Sequence, residues 1–283
     1  MKRVIVTGDD FGLAEPVNEA IIEAHRRGIL TTASLMVGAE AAADAIERAK
    51  QVPTLKVGLH VVLVEGHSIL PPRAIPNLVN SRGEFSDHPT RAGFKYALRP
   101  GIRKQLQAEI RAQFEAFSQT GLALDHVNSH NHLHLHPRIL NLILEVGRDY
   151  GLAAVRLPHE PALPSWRASR RSLLGRMTSW LFLSPLTWFM KGRLRRSHVQ
   201  CNDFIFGMAD SGAMTADLVL RLVPHLPDGV TEIHFHPSTR SCAEIERTMP
   251  AYCHEDEFEA LTSKRVMEAF EAAGIQRIAF SDL

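Results

Sequence analysis

The stretch DHVNSHNHLHLHP, residues 125–137, holds five of the chain's fifteen histidines: His126, His130, His132, His134 and His136. With Asn128 they fall at every second position, so a continuous strand would carry six polar side chains on one face. A barrel interior satisfies so many buried polar groups with difficulty, so the strand must end partway. Pro137 suits the first turn of a helix, and PRILNLILEVGRDYG spaces apolar residues helically from Ile139 to Val146. The stretch therefore reads as a strand over 124–130, a loop over 131–136 and a helix from Pro137. His130 lands at the strand's C-terminal end, facing the centre. His132 and His134 lie above it in the loop, either touching substrate or bracing the site from behind, and His136 belongs to the helix entry. One metal ligand from this run is a better reading than four.

The same alternation of short β-branched runs with longer helical patterns recurs along the chain. Strand candidates occur at 4–10, 31–37, 56–63, 124–130, 153–157, 231–236 and 277–281, with helices at 14–28, 39–51 and 101–121. The region from His67 to Pro100 is rich in turn-forming residues and reads as a long loop. Seven such units predict an α/β fold, a distorted or incomplete (β/α) TIM-like barrel, over a flat open sheet. In such barrels the chemistry gathers at the C-terminal strand ends, where Asp9, Asp10, His60, His130 and His236 all fall.

At 283 residues and 45% hydrophobic, the chain can bury the core of one large domain, taken here as 1–283. A net charge of +1 gives no pull toward nucleic acid, and no nucleic-acid partner is expected. Three cysteines without a C-x-x-C pair argue against a disulfide framework. The start MKRVIVTGDD lacks the long apolar run of a signal peptide, which predicts a cytoplasmic protein.

Adjacent carboxylates on a strand point to opposite faces, so Asp9 and Asp10 can share a site only if the strand ends there. Gly8 before and Phe11-Gly12 after them permit a sharp exit. One carboxylate could then ligate a metal while the other serves as a general base; alternatively the pair is an N-cap and a solvated neighbour. His60 in GLHVVL and His236 in IHFHP, with His234 on the same face, are ligand candidates or hydrogen-bonded core residues. Asp10, His60 and His130 would make an Asp-His-His set with positions left open for water and substrate, usable by Zn²⁺ or another divalent ion.

Residues 161–202 do not fit this pattern. They contain no Asp or Glu but eight cations, Arg167, Arg170, Arg171, Arg176, Lys191, Arg193, Arg195 and Arg196, and all three tryptophans, Trp166, Trp180 and Trp188. The apolar run MTSWLFLSPLTWFM (177–190), interrupted by Pro185, is shorter than the ~20 residues that span a bilayer. Basic flanks and interfacial Trp predict an amphipathic insertion lying on an anionic membrane through 172–196, with Trp180, Trp188, Arg176 and Lys191 facing it. The alternative is a helical hairpin packed on the barrel or across a dimer interface.

Taken in order, TGDDFG (7–12), VGLHVVL (57–63), HVNSHNHLHLHP (126–137) and EIHFHP (232–237) resemble the YdjC-like carbohydrate deacetylase family. The resemblance implies a distorted barrel and metal-dependent removal of acetyl from an N-acetylated sugar. It implies Asp10, His60 and His130 as ligands of one divalent ion (Zn²⁺ or Mg²⁺, with Mn²⁺ or Co²⁺ as further candidates). It further implies Asp9 as base, His236 as acid and Arg156 as the partner of the base. Two departures stand out: Asn128 replaces an aspartate common in the family, and Ser238 follows His236-Pro237 where a smaller residue is usual. The basic insertion resembles the hopanoid-biosynthesis-associated branch. That branch implies an N-acetylglucosaminyl bacteriohopanetetrol-type glycolipid as substrate and a peripheral place on the cytoplasmic face of the inner membrane. A homodimer is a family-level expectation. The rival readings are a deacetylase of soluble chitooligosaccharides, a metal-dependent phosphoesterase and a non-catalytic, membrane-peripheral metal-binding protein.

Overall fold

KRVIVTGDDF forms the longest strand, β1 (Lys2–Phe11), buried from Val4 onward on both faces as a central parallel strand must be. A computed structural model of the chain describes residues 2–99 and 101–283. The other described strands are β2 (Thr32–Leu35), β3 (Lys56–Val61), β4 (Leu124–Ser129), β5 (Phe204–Phe206), β6 (Gly229–Phe235) and β7 (Gln276–Ile278). The helices are α1 (Glu15–Arg27), α2 (Ala42–Lys50), α3 (Pro89–Leu98), α4 (Ile102–Gln119), α5 (Pro137–Gly147), α6 (Ala162–Ser169), α7 (Leu173–Arg196), α8 (Ala216–Leu222), α9 (Ala243–Thr248), α10 (His254–Thr262) and α11 (Lys264–Ala272).

Every strand pair is parallel, in the order β4-β3-β2-β1-β6-β5. β6 pairs with Lys2–Gly8 of β1, so β7, which pairs with Arg3–Ile5, must take the opposite edge, below β2. The result is a curled parallel sheet, a distorted TIM-like barrel, as expected. The predicted strand at 153–157 occupies its place without a continuous ladder. Val127 N–H donates to Ala154 O (3.0 Å), Arg156 N–H to Val127 O (3.1 Å) and Val155 N–H to Gln200 O (2.9 Å). The segment thus joins β4 to the chain leading into β5, and Pro158, with no N–H to give, follows it directly. β5 itself, three residues long, is too short for periodicity to reveal.

The long loop predicted from His67 holds only to about residue 88; Pro100 lies outside the described residues. α3 follows, with Pro89 in its first turn and Ala92 and Tyr96 buried one helical turn apart. The Tyr96 hydroxyl donates to Leu63 O (2.7 Å), tying this helix to the end of β3. At α5 the expectation holds closely. His136 is its N-cap residue, and His136 Nδ1 accepts from Arg138 N–H (3.2 Å).

The basic stretch forms two packed helices, α6 and α7. Pro185 does not interrupt α7, which continues through it for 24 residues. The Pro185 ring removes one backbone donor, while the Ser184 hydroxyl donates one turn back to Trp180 O (2.6 Å). Leu174, Leu181, Phe182 and Trp188 form an outward apolar face, with Phe182 77% and Trp188 66% exposed. Trp180 is partly buried against the body. Arg176, predicted to face the membrane, instead points inward, where its guanidinium pairs with Asp210 (2.7 Å) and Glu160 (3.5 Å). The stretch itself holds no acid, but cations within it find counter-charges outside it. Lys191 is exposed but also finds one, Asp203 (3.0 Å).

Inside the barrel, the His126 ring lies 4.4 Å from the Phe280 ring, and its Nε2 is 3.1 Å from Ser34 Oγ. A Cβ added at Gly58 would come within 2.4 Å of that imidazole. Gly58→Ala is therefore expected to lower stability by about 1–3 kcal/mol, the usual range for overpacking, read from the urea midpoint. The added Cβ would also meet His126 O at 2.6 Å, so an unchanged midpoint would mean that β4 and its imidazole both shift at no cost.

Candidate metal centre and active-site cleft

β1 does not end at its two aspartates. Its pairing with β2 jumps from Gly8↔Ala33 to Phe11↔Leu35, so Asp9 and Asp10 occupy a bulge. Asp10 there adopts φ +60°, the left-handed region. The expected sharp exit is thus a bulge within the strand, and it brings both carboxylates to one cleft by a different route.

Asp10 faces two imidazoles. His60, near the end of β3, places Nε2 3.3 Å from Asp10 Oδ1, and His130, just after β4, places Nδ1 3.1 Å from the same oxygen. The candidate ligand atoms of the three residues lie within 4.8 Å of one another. Asp10 Oδ2 is buried and has no hydrogen-bond partner among the described residues. An orphaned carboxylate oxygen beside two imidazole nitrogens fits a divalent cation, with coordination positions left open. The His60 Nδ1–H donates to Asn128 Oδ1 (2.6 Å), which turns Nε2 toward the shared centre. Burial pushes the His130 imidazole down, but the Asp10 and Glu65 carboxylates outweigh it and raise its pKa to about 10.

Asp9 engages an arginine instead, although its Oδ1 stays 4.0 Å from His60 Nδ1. Both its oxygens accept from Arg156, Oδ2 from Nη1 (2.6 Å) and Oδ1 from Nη2 (2.9 Å). Burial alone would raise the Asp9 pKa. Arg156, with a smaller contribution from His60, reverses this and holds it well below the usual carboxylate range. Asn128 Nδ2 reaches Asp9 Oδ1 (3.3 Å) and Ser34 Oγ (2.8 Å). One amide therefore touches both the Asp9 side and the His60 side. Arg156, 0% exposed, also donates to Glu232 through Nε (3.0 Å) and Nη2 (2.7 Å), and Thr7 adds its hydroxyl to Glu232 (2.7 Å).

His236, Asp9 and His234 offer a second set of atoms within 4.8 Å of one another. Here both carboxylate oxygens already hold a guanidinium, so the set suits proton transfer better than a second ion. His236 lines the cleft with Nδ1 buried and unpartnered among the described residues, its ring 5.2 Å from that of Tyr252. Its backbone is fixed from α10: Glu257 accepts its N–H (2.5 Å), and His254 Nδ1 donates to its carbonyl (2.6 Å).

The structure thus brings together Asp9, Asp10, His60, Asn128, His130, His132, Arg156 and His236. His132 lines the cleft, with Nδ1 unpartnered among the described residues. His134 does not reach it. It lies beneath, its Nε2–H donating to Arg156 O (3.1 Å) and its Nδ1 2.8 Å from Ser129 Oγ, so it braces Arg156. The α7 residues Trp180, Trp188, Arg176 and Lys191 stand outside the cleft. Sequence reading missed Glu65, Glu232 and Tyr252. Glu232 was within reach, because it shares the period-two face of His234 and His236. Glu65 and Tyr252 lie on loops that carry no periodic signal. The cleft has a volume of about 280 Å³.

The chain matches the family described as YdjC-like protein over residues 3–272. It is 30% identical to a carbohydrate deacetylase of Brevibacillus brevis, covering 99% of each chain. It is 29% identical to a carbohydrate deacetylase of Geobacillus stearothermophilus, covering 98% of this chain and 96% of that one. A solved structure from Enterococcus faecalis V583, provisionally assigned to cellobiose-phosphate cleavage, superposes with a TM-score of 0.75 at 26% identity, covering 99% of this chain and 98% of that one.

Replacing Arg156 by Met would leave the buried Asp9 and Glu232 carboxylates without their cation. A loss of about 3–5 kcal/mol of folding stability is expected, measured by chemical denaturation at neutral pH. A loss below about 1 kcal/mol would show that the ion pairs are not the organising contact described here.

Proposed function

Since this chain belongs to the YdjC-like protein family and aligns end to end with a carbohydrate deacetylase, we propose that it is a carbohydrate N-deacetylase. It is an amide hydrolase that frees acetate from an N-acetylated sugar. The observation that carries the reading is the division of the two adjacent carboxylates. Asp10 is turned to two imidazoles with one oxygen unpartnered among the described residues, and Asp9 is held ionised by Arg156. A divalent ion held by Asp10, His60 and His130 would polarise the acetyl carbonyl and make a water more acidic.

The chain's own groups then do the following. Arg156 and Asn128 hold Asp9 in the cleft, where its carboxylate takes a proton from the attacking water. His236, whose imidazole burial holds below its ordinary pKa and whose Nδ1 has no partner among the described residues, receives the proton that Asp9 took from water and passes it to the departing amine. Asp9 and His236 belong to one tight group, so the proton's path between them is short. Tyr252 and His132 flank the space where the sugar ring would lie. A phosphoesterase reading fits less well, because β1 brings a pair of carboxylates rather than clustered histidines.

The substrate we favour is an N-acetylglucosamine-type sugar carried on a lipid, as in the hopanoid-associated branch, met at the inner membrane's cytoplasmic surface. Two features support this. The outward apolar face of α7 is flanked by the exposed cations Arg170 and Arg171 at one end and Arg195 and Arg196 at the other. On its inner side, α7 helps to wall a cavity of about 170 Å³ that includes Trp180, Leu183 and Met208. Met208 also lines the cleft, so the two spaces adjoin. No helix among the described residues is long and apolar enough to cross a membrane, so α7 would engage the bilayer from its surface.

Three outcomes test this. With added divalent ion, mass spectrometry should show acetyl loss from N-acetylglucosamine lipids in preference to chitooligosaccharides. Asp9→Asn and His130→Ala should each lower the rate by at least about 100-fold; wild-type rates in either variant would remove these roles. Anionic liposomes should retain the intact protein, and Leu181→Ser with Phe182→Ser should release it. Equal retention of the double variant would count against membrane contact by this face.

A further inference from the structure

Four of the seven non-glycine residues with left-handed backbone among the described residues lie at the metal centre: Asp10, Glu65, Asn131 and His132. Such conformations persist where the surrounding contacts enforce them. Asp10 is accounted for as a candidate ligand. The other three come from the loops after β3 and β4, and two of them, Glu65 and Asn131, meet at the Glu65 carboxylate. Glu65 Oε2 accepts from Asn131 Nδ2 (2.6 Å) and lies 3.3 Å from His130 Nε2. The Glu65 backbone is itself held, its N–H donating to Ser86 O (3.2 Å), and its side chain is 23% exposed at the cleft wall.

The two histidines turn opposite nitrogens toward Asp10, His60 with Nε2 and His130 with Nδ1. A ligating imidazole is neutral and carries its proton on the other nitrogen. For His60 that proton goes to a neutral amide oxygen of Asn128. For His130 it falls on Nε2, and the acceptor in reach is the Glu65 carboxylate. We propose that Glu65 is a positioning residue of the metal centre: it accepts the Nε2–H of His130, fixes that tautomer and aims Nδ1 at the ion. An anionic acceptor also makes the imidazole a stronger donor than an amide would. Asn131 holds the carboxylate in line, which gives the strained turn after β4 a purpose. This rests on Asp10, His60 and His130 being the ligands.

The test is the affinity of the metal-free full chain for Zn²⁺, by calorimetric titration, and the visible spectrum of the Co²⁺-loaded protein, both independent of turnover. Glu65→Ala should weaken Zn²⁺ binding about 10- to 100-fold and shift the Co²⁺ bands. Glu65→Gln keeps shape and an acceptor oxygen but loses the charge, and should fall between Ala and wild type. Thermal melting of the metal-free variants should match wild type, which separates a positioning role from a folding defect. Wild-type Zn²⁺ affinity and Co²⁺ spectrum in both variants would overturn the Glu65 role alone. Unchanged Zn²⁺ binding in His130→Ala, or none in wild type, would overturn the ligand assignment beneath it and the Glu65 proposal with it.

Discussion

The fully buried guanidinium of Arg156, held between Asp9 and Glu232, is the contact on which the rest of the site depends. A charge removed from water is tolerated only when paired and hydrogen-bonded, and here Nε, Nη1 and Nη2 all donate to carboxylates. The fork spans three parts of the barrel: β1 through Asp9, β6 through Glu232 and the closing segment through its own backbone. His134 fixes that backbone from below. The polar interior is therefore one connected network rather than a set of separate tolerated groups.

That network explains how neighbours in sequence come to have different chemistry. Asp9 and Asp10 are both buried and lie one residue apart, yet the bulge in β1 points one at an arginine and the other at two histidines. Arginine keeps its proton under all ordinary conditions, so Asp9 rests as an anion with fixed geometry until it takes a proton. The imidazoles around Asp10 can give lone pairs to an ion that displaces the His130 proton, and Asp10 Oδ2 has no partner among the described residues. Asn128 stands between them, with its oxygen on His60 and its nitrogen on Asp9. An aspartate at 128 could not donate to Asp9, and its charge would repel it. The neutral amide is thus consistent with its surroundings rather than a defect in the motif.

Much of this was legible in the sequence wherever periodicity spoke. Alternation in DHVNSH and the proline at 137 gave the end of β4 and the start of α5 almost to the residue, and with them the position of His130. Apolar runs placed β1, β2, β3 and β6 and their order along the chain. Tertiary contacts decided what local pattern could not. Glu65 and Tyr252 sit on irregular loops, so nothing in their neighbours marks them. Arg176 read as a surface cation because its acids, Glu160 and Asp210, flank the basic stretch rather than belong to it. α3 was hidden in a turn-rich region because, among its residues whose burial is described, only Ala92 and Tyr96 are buried.

The central claim is that the Asp10 side of the carboxylate pair holds the ion and the Asp9 side moves protons. Anomalous diffraction from crystals of the full chain soaked in Zn²⁺, recorded at the zinc edge, tests it most directly. The account predicts one strong peak bounded by Asp10, His60 and His130, with Arg156 still paired to Asp9. A peak among Asp9, His234 and His236 instead, with Arg156 displaced, would contradict it.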